Sequence, residues 1–503
     1  MGKGEDRISN LPIEILHFIL CLMPLKYAIR TSTLSKRWRH LWQYNLISST
    51  SLQFGPDFSC NQSPKQFVAT LDRYLQLHGN RNLDKFGILF SPFDIFFPNL
   101  ENWVATVLAK GVKQLEINLS QGVLNYFTET YVDDRMPFVM PNSIFNSSSL
   151  AQLSLSRCNF PEPLDLTSFV GLCSLSLDLA NLTDEMLTSI LENCVSLEII
   201  CLERCDNLEV VKFVGDKLKL QKLVIVDCTG LSDIEISAPK LESFLYHGWM
   251  LFTLVFHNVT EVNDAYLCYG ELYDYQEGFF AILSDFSHVK VLTICSSGLM
   301  NVVAEALEHD EAGMPLELHN LQELQLVLYS IWEEPIYCIF LFFRLCPSPF
   351  LEKLFIQLPS NFYRQNDRMN LVATEKEAPD IIFQNLKWIK ITNFRGTPLE
   401  LKLVRFLLEK AILLESIIFV FMNQWDISNN SSSLRIIEGQ LSVIQKASKD
   451  VNIVICGPLD HDCTINPTHT TFYHQERYQN GTTLHLDYGS TRSEDIPLDQ
   501  EFL

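Results

Sequence analysis

The stretch LCSLSLDLANLTDEMLTSILENCVSLEIICLERC, residues 172–205, contains one six-residue frame twice. In each copy a large apolar residue is followed by two spacers, a second apolar residue, one spacer and a third apolar residue: LCSLSL from Leu172 and LEIICL from Leu197. The alternation at the end of the frame places two apolar side chains on one face of a short β-strand. One such strand cannot bury its apolar face alone, so the repetition predicts strands stacked over a common core.

The same frame continues on both sides of this stretch. Five close copies begin 22, 25, 23 and 21 residues apart, at Leu150, Leu172, Leu197, Leu220 and Leu241. An apolar frame at intervals of about 20–29 residues is the signature of leucine-rich repeats. Weaker copies begin at Val112, Val289, Leu321, Leu351, Leu386 and Leu414, and we expect an irregular one near Val259–Leu267. The sequence therefore predicts an α/β solenoid: a curved parallel sheet with helices or loops on the convex side.

Three cysteines occupy the position of the frame where the chain leaves the strand: Cys158, Cys205 and Cys228. In this kind of repeat that position is usually a buried Asn or Cys. The alternative is a zinc site made of Cys194, Cys201, Cys205 and Cys228, but none of these forms a Cys-x-x-Cys pair. The spacing favours buried structural thiols, and we expect no metal and no cofactor.

The first 45 residues differ from the remainder in charge and pattern. They hold seven Lys/Arg and three Asp/Glu, a net +4, so the rest of the chain carries −26 of the total of −22. Pro12 can begin a helix, Met23-Pro24 ends it, Tyr27–Thr33 forms a second helix and Ser35 can cap a third. Three helices of this size have more apolar surface than they can bury among themselves, so we expect them to dock on another protein.

The head sequence DRISNLPIEILHFILCLMPLKYAIRTSTLSKRWRHLW, residues 6–42, resembles a plant F-box ending in RTSxLSKRWRxLW. The resemblance implies binding to a Skp-type adaptor and, through it, to the cullin and RING subunits of an SCF ubiquitin ligase. The adaptor-binding residues that it implies are the Leu-Pro pair, apolar positions of the first helix, the LSxxW element and the closing Leu-Trp: Leu11, Pro12, Ile15, Leu16, Ile19, Leu34, Ser35, Trp38, Leu41 and Trp42.

Near the end of the chain, FQNLKWIKITNFRGTPLELKLVRFLLEKAILLESIIF, residues 383–419, resembles the FBD domain that follows the repeats in plant F-box proteins. The residues alone predict a strand, a turn at Gly396, an amphipathic helix and a second strand, which can equally be a last solenoid unit acting as a cap. The chain is thus identified as a member of the plant F-box/FBD/LRR-repeat family. We expect an F-box at 1–50, a linker or N-terminal cap at 51–110, repeats at 111–372, an FBD domain at 373–456 and a polar tail at 457–503.

The family resemblance implies a non-catalytic subunit that recognises a target protein for ubiquitin transfer by other subunits. In the sequence, GxSxG, HExxH, Walker A and GxGxxG motifs are absent. We expect the target on the concave strand face, at spacer positions Gln152, Ser154, Ser174, Ser176, Lys222 and Val224. Two alternatives stay open: a hormone-type receptor with an inositol phosphate beneath its ligand, which needs a ring of Arg and Lys, and a binding scaffold outside any ligase.

Charge and hydropathy limit the remaining functions. The net charge of −22 argues against nucleic-acid binding, and the basic cluster Arg30, Lys36, Arg37 and Arg39 is instead suited to an acidic adaptor. The longest apolar run, IYCIFLFF at 336–343, is too short to span a membrane and indicates a buried segment. The N-terminus lacks the apolar stretch of a signal peptide, so we expect a soluble protein of the nucleus or cytoplasm with reduced thiols.

The polar tail contains four side chains that resemble a metal-binding set: His461, Cys463, His469 and His474. Because the surrounding sequence is polar and weakly periodic, we interpret it as a loose surface tail rather than as a metal site.

Overall fold

The structure is a computed structural model that describes residues 8, 11–23, 25–55, 58, 62–90, 94–119, 136–162, 166, 169–215, 218–249, 251, 253–257, 259–269, 278–308, 316–328, 333–359, 381–421, 431–457 and 465–469. These residues form two compact units, Met1–Ala265 and Tyr266–Leu503. No helix within the described ranges is long and apolar enough to cross a membrane.

The head of the first unit consists of helices α1 (Ile13–Cys21), α2 (Leu25–Arg30) and α3 (Leu41–Ser48), with 3₁₀ turns at Thr31–Thr33 and Trp38–His40. Helix α1 begins directly after Pro12, as predicted. The expected cap at Ser35 is wrong, because a 3₁₀ turn separates this residue from α3 and its hydroxyl has no hydrogen-bond partner among the described residues.

In the part of the solenoid of the first unit that the structure describes, the helices are α4 (Pro64–His78), α5 (Phe97–Ala109) and α6 (Asp184–Asn193). Its strands are β1 (Ser51–Phe54), β2 (Lys85–Leu89), β3 (Gln114–Asn118), β4 (Phe138–Val139), β5 (Gln152–Ser156), β6 (Cys158–Asn159), β7 (Ser174–Asp178), β8 (Ile199–Glu203), β9 (Val210–Val214), β10 (Lys222–Val226), β11 (Asp233–Ser237), β12 (Ser243–Gly248) and β13 (Thr253–His257). The main sheet runs β1-β2-β3-β5-β7-β8-β10-β12.

The five close copies of the frame are strands β5, β7, β8, β10 and β12 of this parallel sheet, which confirms the predicted solenoid. One inward-facing residue per strand stacks in register with the next, and all are at most 1% exposed: Leu153, Leu175, Ile200, Leu223 and Phe244. Each such side chain contributes about 1.5–3 kcal/mol by its burial. Each repeat therefore adds one layer of stacked apolar side chains to a continuous core.

Two features of the first unit go beyond the sequence interpretation. Residues 51–110, predicted as a linker or as the N-terminal cap of the solenoid, contribute strands β1 and β2, so the sheet begins before the first frame recognised in the sequence, at Val112. The returns after β8, β10 and β12 carry β9, β11 and β13, which pair in parallel as a separate three-stranded sheet where helices or loops were expected.

The second unit repeats the pattern with strands β14 (Asp264–Tyr269, whose first two residues belong to the first unit), β15 (Val291–Cys295), β16 (Glu323–Val327), β17 (Lys353–Gln357), β18 (Trp388–Phe394), β19 (Ser416–Phe421) and β20 (Asn452–Cys456), in that order. Helices α7 (Phe279–Asp285), α8 (Ser296–Glu308), α9 (Glu333–Leu345), α10 (Pro398–Lys410) and α11 (Ser431–Ser442) connect them. The weaker frames and the irregular one near Val259–Leu267 are therefore strands, and the run at 336–343 lies in α9.

The region that resembles an FBD domain has the predicted order of strand, turn, helix and strand. Gly396, with φ of +76°, forms the turn between β18 and α10, and β19 pairs with β18 in parallel. Thr397 and Glu400 form a capping box at the start of α10. This region continues the main sheet, and β20 pairs with β19 beyond it.

The three frame cysteines are buried at the strand exits, as predicted. The residue before each has a positive φ: Arg157, Arg204 and Asp227. Each thiol donates a weak hydrogen bond of 3.5–3.7 Å to the carbonyl two residues earlier. Burial raises the pKa of the Cys158 thiol, and it raises the pKa of the Cys194 thiol to about 12. Both thiols therefore stay protonated and inert. Among the residues described, no cluster of His, Cys, Asp or Glu suits a metal ion.

Candidate protein-interaction surfaces

Helix α1 presents an apolar stripe to solvent. Ile15, Phe18 and Leu22 are 45%, 63% and 71% exposed, and their spacing of three and four residues puts them on one helix face. Leu16 and Leu20, on the other face, are fully buried. We call Ile15, Phe18 and Leu22 the α1 stripe. Exposed aliphatic and aromatic side chains at helical spacing are typical of a surface that a partner protein covers.

The ten adaptor-binding residues predicted from the sequence divide into three groups. Leu16, Trp38, Leu41 and Trp42 are buried inside the head; Leu11, Ile19 and Ser35 are half-buried; Pro12, Ile15 and Leu34 are exposed. The buried residues shape the head, and the exposed ones are free to meet a partner. The α1 stripe also contains Phe18 and Leu22, which the sequence prediction did not include, although their spacing from Ile15 was a usable signal.

Hydrogen bonds across the head hold its segments together. The Arg37 guanidinium donates through Nη2 to the Leu11 carbonyl at 2.7 Å, so one residue of the basic cluster fixes the predicted Leu-Pro element. The Asn45 side-chain amide donates to the Leu20 carbonyl at the end of α1. These bonds fix both ends of α1 and thereby orient its stripe.

The head packs directly on the first repeat. The rings of Trp42 and Tyr74 in α4 meet edge to face, with centroids 6.0 Å apart. The buried His78 imidazole donates from Nε2 to the Ser49 carbonyl at 2.9 Å, and Arg81 donates to the Ile47 carbonyl at 3.3 Å. Burial is the main cause that lowers the pKa of His78. We call this set of contacts the head–repeat junction.

The concave face of the first unit brings four of the six predicted target-binding residues together. Gln152 pairs in register with Ser174, and Ser154 with Ser176. They line a shallow cavity of about 100 Å³ together with Lys85, Gln114, Leu115, Glu116 and Leu153. Lys222 is exposed two strands further along, whereas Val224 is only 7% exposed and presents little surface to a ligand.

Charged and other polar side chains at the strand ends of this face are already paired. Arg204 donates from Nε to Asp178 at 2.8 Å, and a second nitrogen lies 2.6 Å from the same carboxylate oxygen. His247 and Asp227 meet at 2.8 Å and are both buried. On the concave positions of the described main-sheet strands of this unit, Lys85 and Lys222 are the only Lys or Arg. The face is therefore polar and nearly neutral rather than cationic.

In the second unit the concave face is covered by the C-terminal segment, residues 465–469. His469 is 6% exposed and lies against Thr293 and Tyr266, so the interpretation of the tail as a loose surface segment is wrong for these five residues. His461, Cys463 and His474, the other members of the possible metal set, lie outside the described residues.

A helical head with an exposed apolar stripe, carried on a solenoid of parallel strands, defines a protein-interaction protein of the leucine-rich-repeat class. The family model described as "At1g61320/AtMIF1, LRR domain" matches residues 75–458, and the F-box domain model matches residues 8–48. The chain belongs to the family of the first model, which covers most of its length, and it is a plant F-box/FBD/LRR-repeat protein.

Individual relatives agree with this assignment over nearly the whole chain. The putative F-box/LRR-repeat protein At5g54820 of Arabidopsis thaliana is 25% identical over 495 residues, covering 90% of this chain and 98% of the relative. The F-box/FBD/LRR-repeat protein At1g78750 of the same plant is 26% identical over 446 residues, covering 83% and 90%. A crystal structure of an internalin (inlF) from Listeria monocytogenes aligns with 82% of this chain and 88% of its own at 12% identity, with a TM-score of 0.29.

Proposed function

We propose that this chain is the substrate-recognition subunit of an SCF-type E3 ubiquitin ligase. The head binds a Skp-type adaptor, which links the chain to cullin and RING subunits, and the repeats bind a target protein. The chain performs no chemistry in this function. It raises the effective concentration of the target near the conjugating enzyme that carries ubiquitin.

The α1 stripe is the observation that carries the proposal. It lies within residues 8–48, which match the F-box model, and it leaves three large apolar side chains in water. Of the 23 exposed large hydrophobic side chains among the described residues, eight lie between residues 8 and 44: Ile8, Ile13, Ile15, Phe18, Leu22, Tyr27, Leu34 and Tyr44. This density supports a docking surface in the head rather than scattered exposure.

Binding to purified adaptor tests the proposal. We expect the full chain to co-elute with a plant Skp-type adaptor in size-exclusion chromatography and to recruit a cullin only when the adaptor is present. A chain with Ile15→Asp and Phe18→Asp should lose both, because a partner cannot cover two added carboxylates without a large desolvation cost. If the wild-type chain does not co-elute with the adaptor, the chain is a binding scaffold outside the ligase and the proposal fails.

The described residues of the first unit give the hormone-receptor alternative little support. The concave cavity of the first unit, about 100 Å³, is smaller than the roughly 300–1,000 Å³ that small-molecule sites occupy. Arg204 at the edge of that face is committed to Asp178 and Glu203, so it is not available to an inositol phosphate. The target is therefore proposed to be a protein.

A further inference from the structure

The C-terminal segment crosses the strands of the second unit in order. Ile465 packs on the apolar cluster of β19 and β20, made of Ile418, Val420, Val454 and Cys456. The Lys390 ammonium on β18 donates to the Ile465 carbonyl and to the Asn466 side-chain oxygen, both at 2.9 Å. Further along, the segment reaches β16 through Thr468 and then β15 and β14 through His469. These five residues thus contact six of the seven strands β14–β20, all except β17.

A closed ring of hydrogen bonds holds Thr468 and His469. The Thr293 hydroxyl donates to Gln325 Oε1 at 2.8 Å, so its oxygen accepts from His469 Nδ1, also at 2.8 Å. Gln325 Nε2 donates to Glu323 Oε1 at 2.6 Å, and the same oxygen accepts the Thr468 main-chain N–H at 2.6 Å. Each hydrogen bond in this network constrains the next one. The face therefore recognises the main-chain N–H of one residue and the imidazole N–H of the following residue together.

The polar side chains that hold the segment are buried. Thr293, Gln325, Glu323 and Lys390 are at most 3% exposed, whereas Gln152 and Lys222 on the concave face of the first unit are exposed. Buried polar groups need hydrogen-bond partners, and the segment supplies them with two carbonyl-type oxygens, one N–H and one imidazole N–H. When the segment leaves, water or another polypeptide can supply the same groups.

The same face has one unused acceptor. Gln357 on β17, in register with Val327 and Thr392, is 6% exposed, and its Oε1 has no hydrogen-bond partner among the described residues. The C-terminal segment makes no described contact with this strand. A ligand with one more donor would use an acceptor that the resident segment leaves empty.

We propose that the concave face of the second unit is a binding site for an extended polypeptide and that residues 465–469 occupy it as an intramolecular ligand. A partner segment with the same chemistry binds by displacing residues 465–469. That chemistry is an apolar side chain followed by a side-chain amide, a free main-chain N–H and an aromatic ring that donates a hydrogen bond. This inference deepens the proposed function by naming the ligand class of the repeats, and for its biological role it rests on that function. Peptide binding itself requires no adaptor.

Competition within one chain sets the expected affinities. A tethered segment has an effective concentration on the order of millimolar. A free peptide of equal intrinsic affinity therefore binds the intact chain with an apparent Kd no lower than about 1 mM. Once the segment is removed from the site, the peptide binds with its intrinsic Kd.

Fluorescence polarisation with a labelled peptide TINPTHTT, residues 464–471, tests this in the full chain. The emptied variant carries Ile465→Asp, Thr468→Pro and His469→Ala, which remove the apolar contact, the N–H and the ring. We expect it to bind the peptide at least tenfold more tightly than the wild-type chain does. Equal binding to both chains, or no binding to an emptied variant that melts at the wild-type temperature, overturns the proposal.

Two further substitutions in the emptied variant identify the site. Lys390→Met should weaken peptide binding at least tenfold, whereas Lys387→Met should leave it unchanged, because Lys387 pairs with Glu352 and makes no described contact with the segment. If both substitutions act equally, the peptide binds elsewhere and the proposal is wrong.

Hydrogen exchange of the wild-type chain gives an independent measurement that needs no emptied variant. We expect residues 465–469 to exchange at least tenfold more slowly than an unstructured peptide, and Lys390→Met to remove much of that protection. Exchange of this segment at the unstructured rate in the wild-type chain overturns the proposal. Since adaptor is absent from every arm, failure here leaves adaptor binding by the head untouched.

Discussion

Removing the Phe18 side chain should weaken adaptor binding and leave the fold unchanged. Phe18 is 63% exposed, and a whole aromatic side chain covers about 150–250 Å², so roughly 125 Å² of apolar surface is available to a partner. At about 25 cal/mol per Å², covering it contributes about 3 kcal/mol. We therefore expect Phe18→Ala to raise the Kd for a Skp-type adaptor about a hundredfold, since each 1.4 kcal/mol is about a factor of ten.

Isothermal titration calorimetry of adaptor into the full chain measures this change. The matched control is Phe350→Ala, because Phe350 is 57% exposed but lies in the second unit, outside the head. Thermal unfolding of both variants should stay within about 0.5 kcal/mol of wild type, as for other exposed positions. An adaptor Kd for Phe18→Ala within threefold of wild type would refute the assignment of the α1 stripe as the docking surface.

Three further predictions concern stability. Trp38→Ala should destabilise the head by about 3–5 kcal/mol, because Trp38 is 2% exposed; unchanged hydrogen exchange in residues 11–48 would contradict this. Burial lowers the pKa of His78 below its ordinary 6.5, so the stability due to the neutral imidazole is present above that pH and lost as pH falls below it. Melting temperature should therefore fall more between pH 7.5 and 5.5 in wild type than in His78→Gln, and equal falls would refute it. Gly396→Ala should cost at least about 2 kcal/mol in urea unfolding, because φ is +76° and a Cβ would lie 2.7 Å from Ile437; Gly439→Ala, with nothing within 4 Å, should not.

The solenoid was predictable because each repeat has the same local pattern. The frame at Leu172 becomes β7 with Leu175 and Leu177 inward, and the cysteines at the strand exits are buried as their position in the frame indicated. Strand β1 lacks the first apolar residue of the frame, because SLQF is preceded by Ser49 and Thr50. The frame LDKFGI from Leu83 leads into β2 and was overlooked in the sequence. The place of β1 in the sheet is decided by its pairing with β2, which no local pattern in SLQF reveals.

The candidate sites were less predictable because they depend on distant contacts. Helical periodicity places Ile15, Leu16 and Ile19 near one another, but only packing against the rest of the head decides that Leu16 is buried and Ile15 exposed. The C-terminal segment has no apolar periodicity, and the partners of His469 and Thr468, Thr293 and Glu323, lie 176 and 145 residues earlier in the sequence. A single sequence holds no signal for contacts of that separation.

The head–repeat junction has a consequence for how a captured protein is presented. Two residues separate the end of α3 from β1, and the contact of His78 with Ser49 falls on that short connection. Because this connection is so short, the head and the first strands of this unit keep one mutual orientation. In the proposed ligase, an adaptor on the head and a protein bound on this unit would therefore be held at a fixed angle. The lysine that receives ubiquitin would then be selected by the orientation of the bound protein rather than by the length of a flexible connection. Glycine-serine spacers inserted at Thr50 would increase the number of lysines that are modified.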